Sequence, residues 1–94
     1  MIFNTIYYQW DEIELRYPVN AITYIRDHHF VFDYGPLGMH VYGDTELDCE
    51  IAFQDKLDKI YDDFALEPDN SLDDTGLSIK RALLWCVNGT YSKS

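Results

Sequence analysis

Over residues 1–10 the apolar side chains Ile2, Ile6, Tyr8 and Trp10 fall at even positions, and beyond Asp11-Glu12 they move to odd ones, Ile13, Leu15 and Tyr17, with Glu12, Glu14 and Arg16 opposite. Alternation with period two on both sides of a short polar break predicts a β-hairpin with its break at Asp11-Glu12. Pro18, Val19 and Asn20 read as punctuation. Residues 21–26 and 29–34 are rich in β-branched and aromatic types and flank Asp27-His28, which predicts a second hairpin. Gly35-Pro36-Leu37-Gly38 is a strong turn signal, since Gly tolerates positive φ and Pro fixes φ near −65°. Residues 39–42 then form a short last strand before Gly43-Asp44.

At Thr45 the period changes. At 100° per residue, Leu47, Cys49, Ala52, Phe53, Leu57, Ile60, Tyr61 and Phe64 share one arc, with Ile51 alone facing away, as an amphipathic helix requires. A rival pattern, Leu47, Cys49, Ile51 and Phe53 as a strand before a shorter helix, explains less of the stripe. Pro68 breaks the helix, because it cannot donate and disfavours helical geometry at Glu67. Ser71 followed by Asp74 resembles a capping pair for a second helix, whose stripe is Leu72, Ile79, Leu83, Leu84, Cys86 and Val87 and whose left-handed ending is supplied by Asn88-Gly89. Strands first and helices after predict an α+β fold: an antiparallel meander of about five strands over residues 2–42, then helices at about 45–65 and 72–88 packed on one face. Ninety-four residues make one domain's worth of chain, residues 1–94, with 90–94 expected to be a mobile tail.

Charge changes the picture more than composition does. Seventeen acidic against seven basic residues give a net charge of −10. The entire imbalance lies in residues 44–74, which hold twelve acids and only Lys56 and Lys59, while the remainder of the chain is balanced. Binding nucleic acid through its phosphates needs Lys and Arg and is therefore excluded as a primary role. On the helical wheel Asp48, Asp55, Asp58 and Asp62 share a sector of roughly 80° opposite the apolar arc, where like charges repel by a few tenths of a kcal/mol per i,i+4 pair. A solvated face kept acidic for solubility would account for a charged sector in isolation. Confinement of the whole imbalance to one segment instead favours a surface that steers a basic partner.

Other chemistry is poorly supported. His28, His29 and His40 with Asp33 lack metal-ligand spacing, since adjacent histidines on a strand point to opposite faces. Cys49 and Cys86 lie on apolar stripes, outside any C-x-x-C frame, and read as buried thiols rather than as a nucleophile or a disulfide. Residues 69–76 hint at a calcium loop, but the Gly is misplaced and Lys80 stands where a bidentate Glu is needed. No glycine-rich phosphate loop is present, and Asn88-Gly89-Thr90 fits a glycosylation pattern without consequence in the cytoplasm. Neither an enzyme nor a cofactor is indicated. Residues 1–10 lack the basic front of a secretory signal, and residues 82–87, the longest apolar run, fall far short of the ~20 needed to span a bilayer, so a cytoplasmic location is expected. Eight Tyr and two Trp are too many for a small core, so Tyr7, Tyr17, Tyr34 and Tyr42 cannot all be buried.

In size, charge and architecture the chain resembles the small acidic immunity proteins that bacteria make against their own nuclease toxins, and the acidic inhibitors that phages direct at host nucleases. That resemblance of type implies a cytoplasmic inhibitor that covers a basic, nucleic-acid-binding cleft on a cognate toxin. Asp48, Asp55, Asp58, Asp62 and Asp63 on the helix, with Glu67, Asp69 and Asp73 after it, would carry the contact without chemistry. Two alternatives are a DNA mimic directed at restriction or CRISPR machinery, and a structural or adaptor subunit in which the acidic face is merely solvated and a sheet edge or exposed aromatics make a homodimer.

Overall fold

The computed structural model describes residues 1–89, so the expected mobile tail lies outside the described residues. Five antiparallel strands precede two helices: β1 Ile2–Tyr8, β2 Asp11–Asn20, β3 Ile22–Arg26, β4 His29–Tyr34, β5 Met39–Gly43, α1 Glu46–Ile60 and α2 Asp74–Asn88. The expected α+β meander is therefore present, divided into a β1-β2 ribbon and a β3-β4-β5 sheet. β2 and β3 are separated only by Ala21, so they run as one long strand with β1 beside its first half and β4 beside its second.

The first hairpin departs from the expected phase. Its turn is Gln9-Trp10, with Gln9 at φ 54°, and Asp11 and Glu12 belong to β2, paired with Tyr8 and Tyr7. The register also jumps: Phe3 faces Val19 and Thr5 faces Glu14, so Asn4 alone stands opposite residues 15–18. A bulge of this kind resets alternation. Phe3 and Ile6 both enter the core, whereas Ile2 and Trp10, at even positions like Ile6, are exposed. The same irregularity accommodates Pro18, which cannot donate to a ladder, and places residues 18–20 within β2 rather than after it. The second hairpin turns at Asp27-His28 as expected, both with positive φ, as a two-residue type I′ connection requires. Gly35-Pro36-Leu37 forms a single 3₁₀ turn, closed by Gly38 at φ 63°.

Thr45 caps α1, its hydroxyl accepting from the Asp48 N–H at 3.0 Å, and the helix continues past Ile60 as a π-helical turn, Tyr61–Ala65. The alternative of a strand before a shorter helix is thereby set aside. At α2 the cap is Asp73, whose carboxylate accepts from the Gly76 N–H at 2.7 Å, while Ser71, expected in that role, sits in a separate 3₁₀ turn. The helix accordingly begins at Asp74, two residues later than expected, and ends on Gly89 at φ 80°. α1 packs against β1, β4 and β5, and α2 against β2 and the π-helical turn.

One cluster joins all of these elements. Phe53, fully buried, stacks on Phe3 at 4.4 Å between centroids and tilts against Phe32 at 6.2 Å, so a single side chain ties α1 to both sheets. Leu57, Leu83, Val19 and Leu37 complete the centre. Cys49 and Cys86 are free and buried, and burial pushes both thiols up, away from the reactive thiolate. Tyr34 lies 3.8 Å from the Cys86 sulfur, and burial pushes its hydroxyl up to about 12. No helix among the described residues is long and apolar enough to cross a membrane.

Candidate functional site

The open side of α1 is the strongest candidate surface. Residues seven apart on a helix nearly eclipse, which puts Asp48, Asp55 and Asp62 in one line, the first two separated by about 10 Å along the axis. All three are exposed, and none has a side-chain hydrogen bond or ion pair among the described residues. Two exposed aliphatic residues flank this line: Ile51, one turn from both Asp48 and Asp55, is 52% exposed, and Leu47, just before Asp48, is 63% exposed. Leu47 was expected in the apolar arc. The helix crosses the sheets so that Cys49, Phe53 and Leu57 take the centre, leaving Leu47 at the open margin.

Helix electrostatics separate the two ends of this line. Glu46 and Asp48 occupy the first turn, where exposed N–H groups favour a negative charge. Asp62 and Asp63 stand in the π-helical turn at the opposite end, towards the negative pole of the helix, where a carboxylate is unfavourable by a few tenths of a kcal/mol. Local stability explains Asp48 but not Asp62.

The remaining expected site residues are engaged within the protein. Asp58 accepts from the Tyr7 N–H at 2.9 Å and from Gln54 Nε2 at 2.9 Å, while Gln54 Nε2 also donates to the Thr5 carbonyl at 2.9 Å. One turn of helix thus satisfies two backbone groups on the outer edge of β1. Burial pushes the Asp58 carboxyl up from its ordinary value; the hydrogen bonds from Tyr7 and Gln54 oppose the rise and the neighbouring Asp55 charge adds to it. Asp63 is 3.9 Å from Lys59. Asp69 pairs with Lys80 at 2.7 Å, and the same ammonium donates to the Glu67 carbonyl at 2.6 Å, pinning the loop to α2. Glu67 accepts from the Ser71 hydroxyl at 3.3 Å, and Asp73 is the α2 cap. The eight expected residues therefore divide into an open line of three and five with structural partners.

A second polar constellation lies on the outer face of the β3-β4-β5 sheet. Asp33 bridges the Tyr24 hydroxyl, at 2.8 Å, and the His40 Nδ1, while His29 Nδ1 is 3.1 Å from Asp44. The Asp33 acceptor raises the Tyr24 hydroxyl above its ordinary range. Cross-strand register produces these pairs, Asp33 standing opposite His40, a relation that spacing along one strand could not reveal. Among the described residues no three His, Cys, Asp or Glu side chains gather closely enough to hold a metal ion. Aromatic exposure is broader: Trp10 is fully exposed at the tip of the first hairpin, Tyr7, Tyr17 and Tyr42 are exposed, and Tyr17 stacks on the half-exposed Trp85 at 4.2 Å.

Comparison of the chain with protein-family models, with curated proteins and with solved structures finds no significant match.

Proposed function

We propose that the protein is a small acidic inhibitor, of the immunity-protein type, that neutralises a basic, nuclease-type partner by laying the open side of α1 over the partner's nucleic-acid-binding cleft. The observation that carries this reading is the line Asp48, Asp55 and Asp62, unpaired among the described residues and flanked by exposed Ile51 and Leu47. Carboxylates in a row compete with phosphates for the same Lys and Arg, and aliphatic contacts beside them supply the short-range burial that charge alone lacks. Inhibition is by occlusion. A DNA mimic aimed at restriction or CRISPR machinery would use the same surface, and the identity of the bound protein separates the two.

The test begins with the tagged chain as bait in host lysate, identification of the captured protein, and its purification for titration. Affinity is expected to fall as salt rises, because exposed charges attract through a screening length of about 8 Å at physiological ionic strength. Replacing Asp48, Asp55 and Asp62 together by Lys should weaken binding at least about tenfold while leaving the circular dichroism spectrum and melting temperature nearly unchanged. Equal affinity of wild type and the triple Lys protein at low salt would remove the proposal.

A further inference from the structure

β3 is the barest element of the fold. All five of its side chains are exposed, with Ile22 and Ile25 both at 68%. The edge it offers can be read from its neighbours. Ala21 exchanges two backbone hydrogen bonds with Met1, donating at 2.8 Å and accepting at 3.1 Å, on the side of the long strand away from β4. Antiparallel strands direct the backbone groups of alternate residues to the same side, so Thr23 and Ile25 present theirs along the edge that continues beyond Met1. Ile22, Tyr24 and Arg26 are spent on Asp33, Val31 and His29 of β4. None of the usual edge defences is present on β3: no Lys, no Pro and no bulge, only Arg26 at its end. Beneath it Thr23, Ile25, Phe30 and Phe32 line an open depression of about 360 Å³ with Glu46 at its rim.

We propose that β3 pairs with β3 of a second copy, antiparallel about a two-fold axis at Tyr24, joining the three-stranded sheets of two protomers into one. The sequence is self-complementary in that register. Thr23 stands opposite Ile25 of the second copy on both sides of the axis, so the outward N–H and C=O groups of both residues find partners. Charge agrees: Arg26 falls opposite Ile22 of the second copy, whose own β4 neighbour is Asp33, so a long cationic side chain and a carboxylate share one face across Ile22, twice. The segment holding the whole net charge contributes no strand to this edge, and of its twelve acids Glu46 lines the depression beneath β3. The position opposite Ala21 is already held by Met1, so Arg26 is the last residue each copy lays on the shared edge, and at Asp27 the chain turns away towards β4. This association is independent of the open side of α1.

Five residues a side make a small interface, so the dimer is weak and concentration-dependent. Sedimentation equilibrium of the full chain from about 5 to 500 μM should show the mass rising from 11.1 kDa towards twice that value. Amide exchange at Thr23 and Ile25 should slow as concentration rises, a response that association through any other surface would not give. Ile25→Lys and Thr23→Pro should both stay monomeric with native circular dichroism; Pro fits an outward-facing edge position, and the Lys variant serves if Pro perturbs folding. Ile51→Lys and the triple Lys protein on α1 should dimerise like wild type. A mass of 11.1 kDa throughout, association unaffected by Ile25→Lys, or loss of the dimer in Ile51→Lys would each overturn the proposal.

Discussion

The outer edges of β1 and β3 pose the same problem, a row of backbone donors and acceptors with no strand beside it, and the fold treats them in opposite ways. Along β1 the helix stands in for a strand: Gln54 reaches the Thr5 carbonyl and Asp58 the Tyr7 N–H, two backbone groups satisfied from consecutive turns. Along β3 nothing comparable arrives among the described residues, and apolar side chains face water. The contrast also redefines the acidic face. Asp58 looks like one more member of a repelling row, yet its carboxylate is committed to an edge, so the charge available to a partner is smaller and more ordered than a count of acids suggests.

The largest break in this comparison comes from removing what holds the helix against β1. Phe53→Ala deletes the ring stacked on Phe3 and packed on Phe32 and should cost about 3–5 kcal/mol, as other buried aromatic truncations do. For a chain of this size whole stability is about 5–14 kcal/mol, so the variant should be near the limit of folding, with a urea midpoint that falls sharply. Amide protection at Tyr7 should fall with it. If Tyr7 stays protected while the midpoint drops, the edge has a support other than α1.

Most of the element order was legible because hydrophobic period is set by burial, and burial dominates folding. The helix over residues 45–65, the Asp27-His28 turn and the Gly89 ending all follow from local pattern. What escaped depends on contacts between elements. Parity groups Ile2 and Trp10 with the buried Ile6 because it sees neither the irregularity that sets Asn4 against four residues nor that Trp10 belongs to the turn. The cap moved from Ser71 to Asp73 because Ser71 is held in a 3₁₀ turn by the Pro68 carbonyl, at 2.8 Å. Of the acidic residues, the wheel placed Asp48, Asp55 and Asp62 on an open face, but the partners of Asp58 and Asp69 lie 51 and 11 residues away and leave no mark in the pattern.

A smaller and sharper test separates the two things Asp58 brings to the β1 edge, an acceptor and a charge. Asp58→Ala leaves the Tyr7 N–H without its partner and should cost about 1 kcal/mol. Asp58→Asn keeps an oxygen for Tyr7 and removes the charge. Because burial raises the Asp58 pKa in the folded state, the fold favours the neutral carboxyl. That contribution is fully present below the unfolded pKa and is lost as pH rises through the folded one. Wild type should therefore lose slight ground to Asp58→Asn as pH rises through the carboxylate range and match it in acid, with urea midpoints across a pH series as the measure. An Asn variant as unstable as the Ala variant would mean that the charge itself holds the edge.

The smallest effect belongs to β3, and its smallness is the informative part. Ile22→Thr and Ile25→Thr keep a β-branched side chain on a strand, so backbone preference hardly changes, and both positions are already largely in water, so little burial is forfeited. Measured dilute, where a weak dimer is dissociated, each should alter stability by no more than about 0.5 kcal/mol. The same pair of substitutions also removes the apolar surface that would lie beside a second copy, so unfolding midpoints that coincide with wild type in dilute solution should fall below it when both proteins are concentrated, by mass action on the paired edge. A loss above about 1 kcal/mol already present in dilute solution would show instead that these isoleucines pack within one chain, and β3 would then be an edge as occupied as β1.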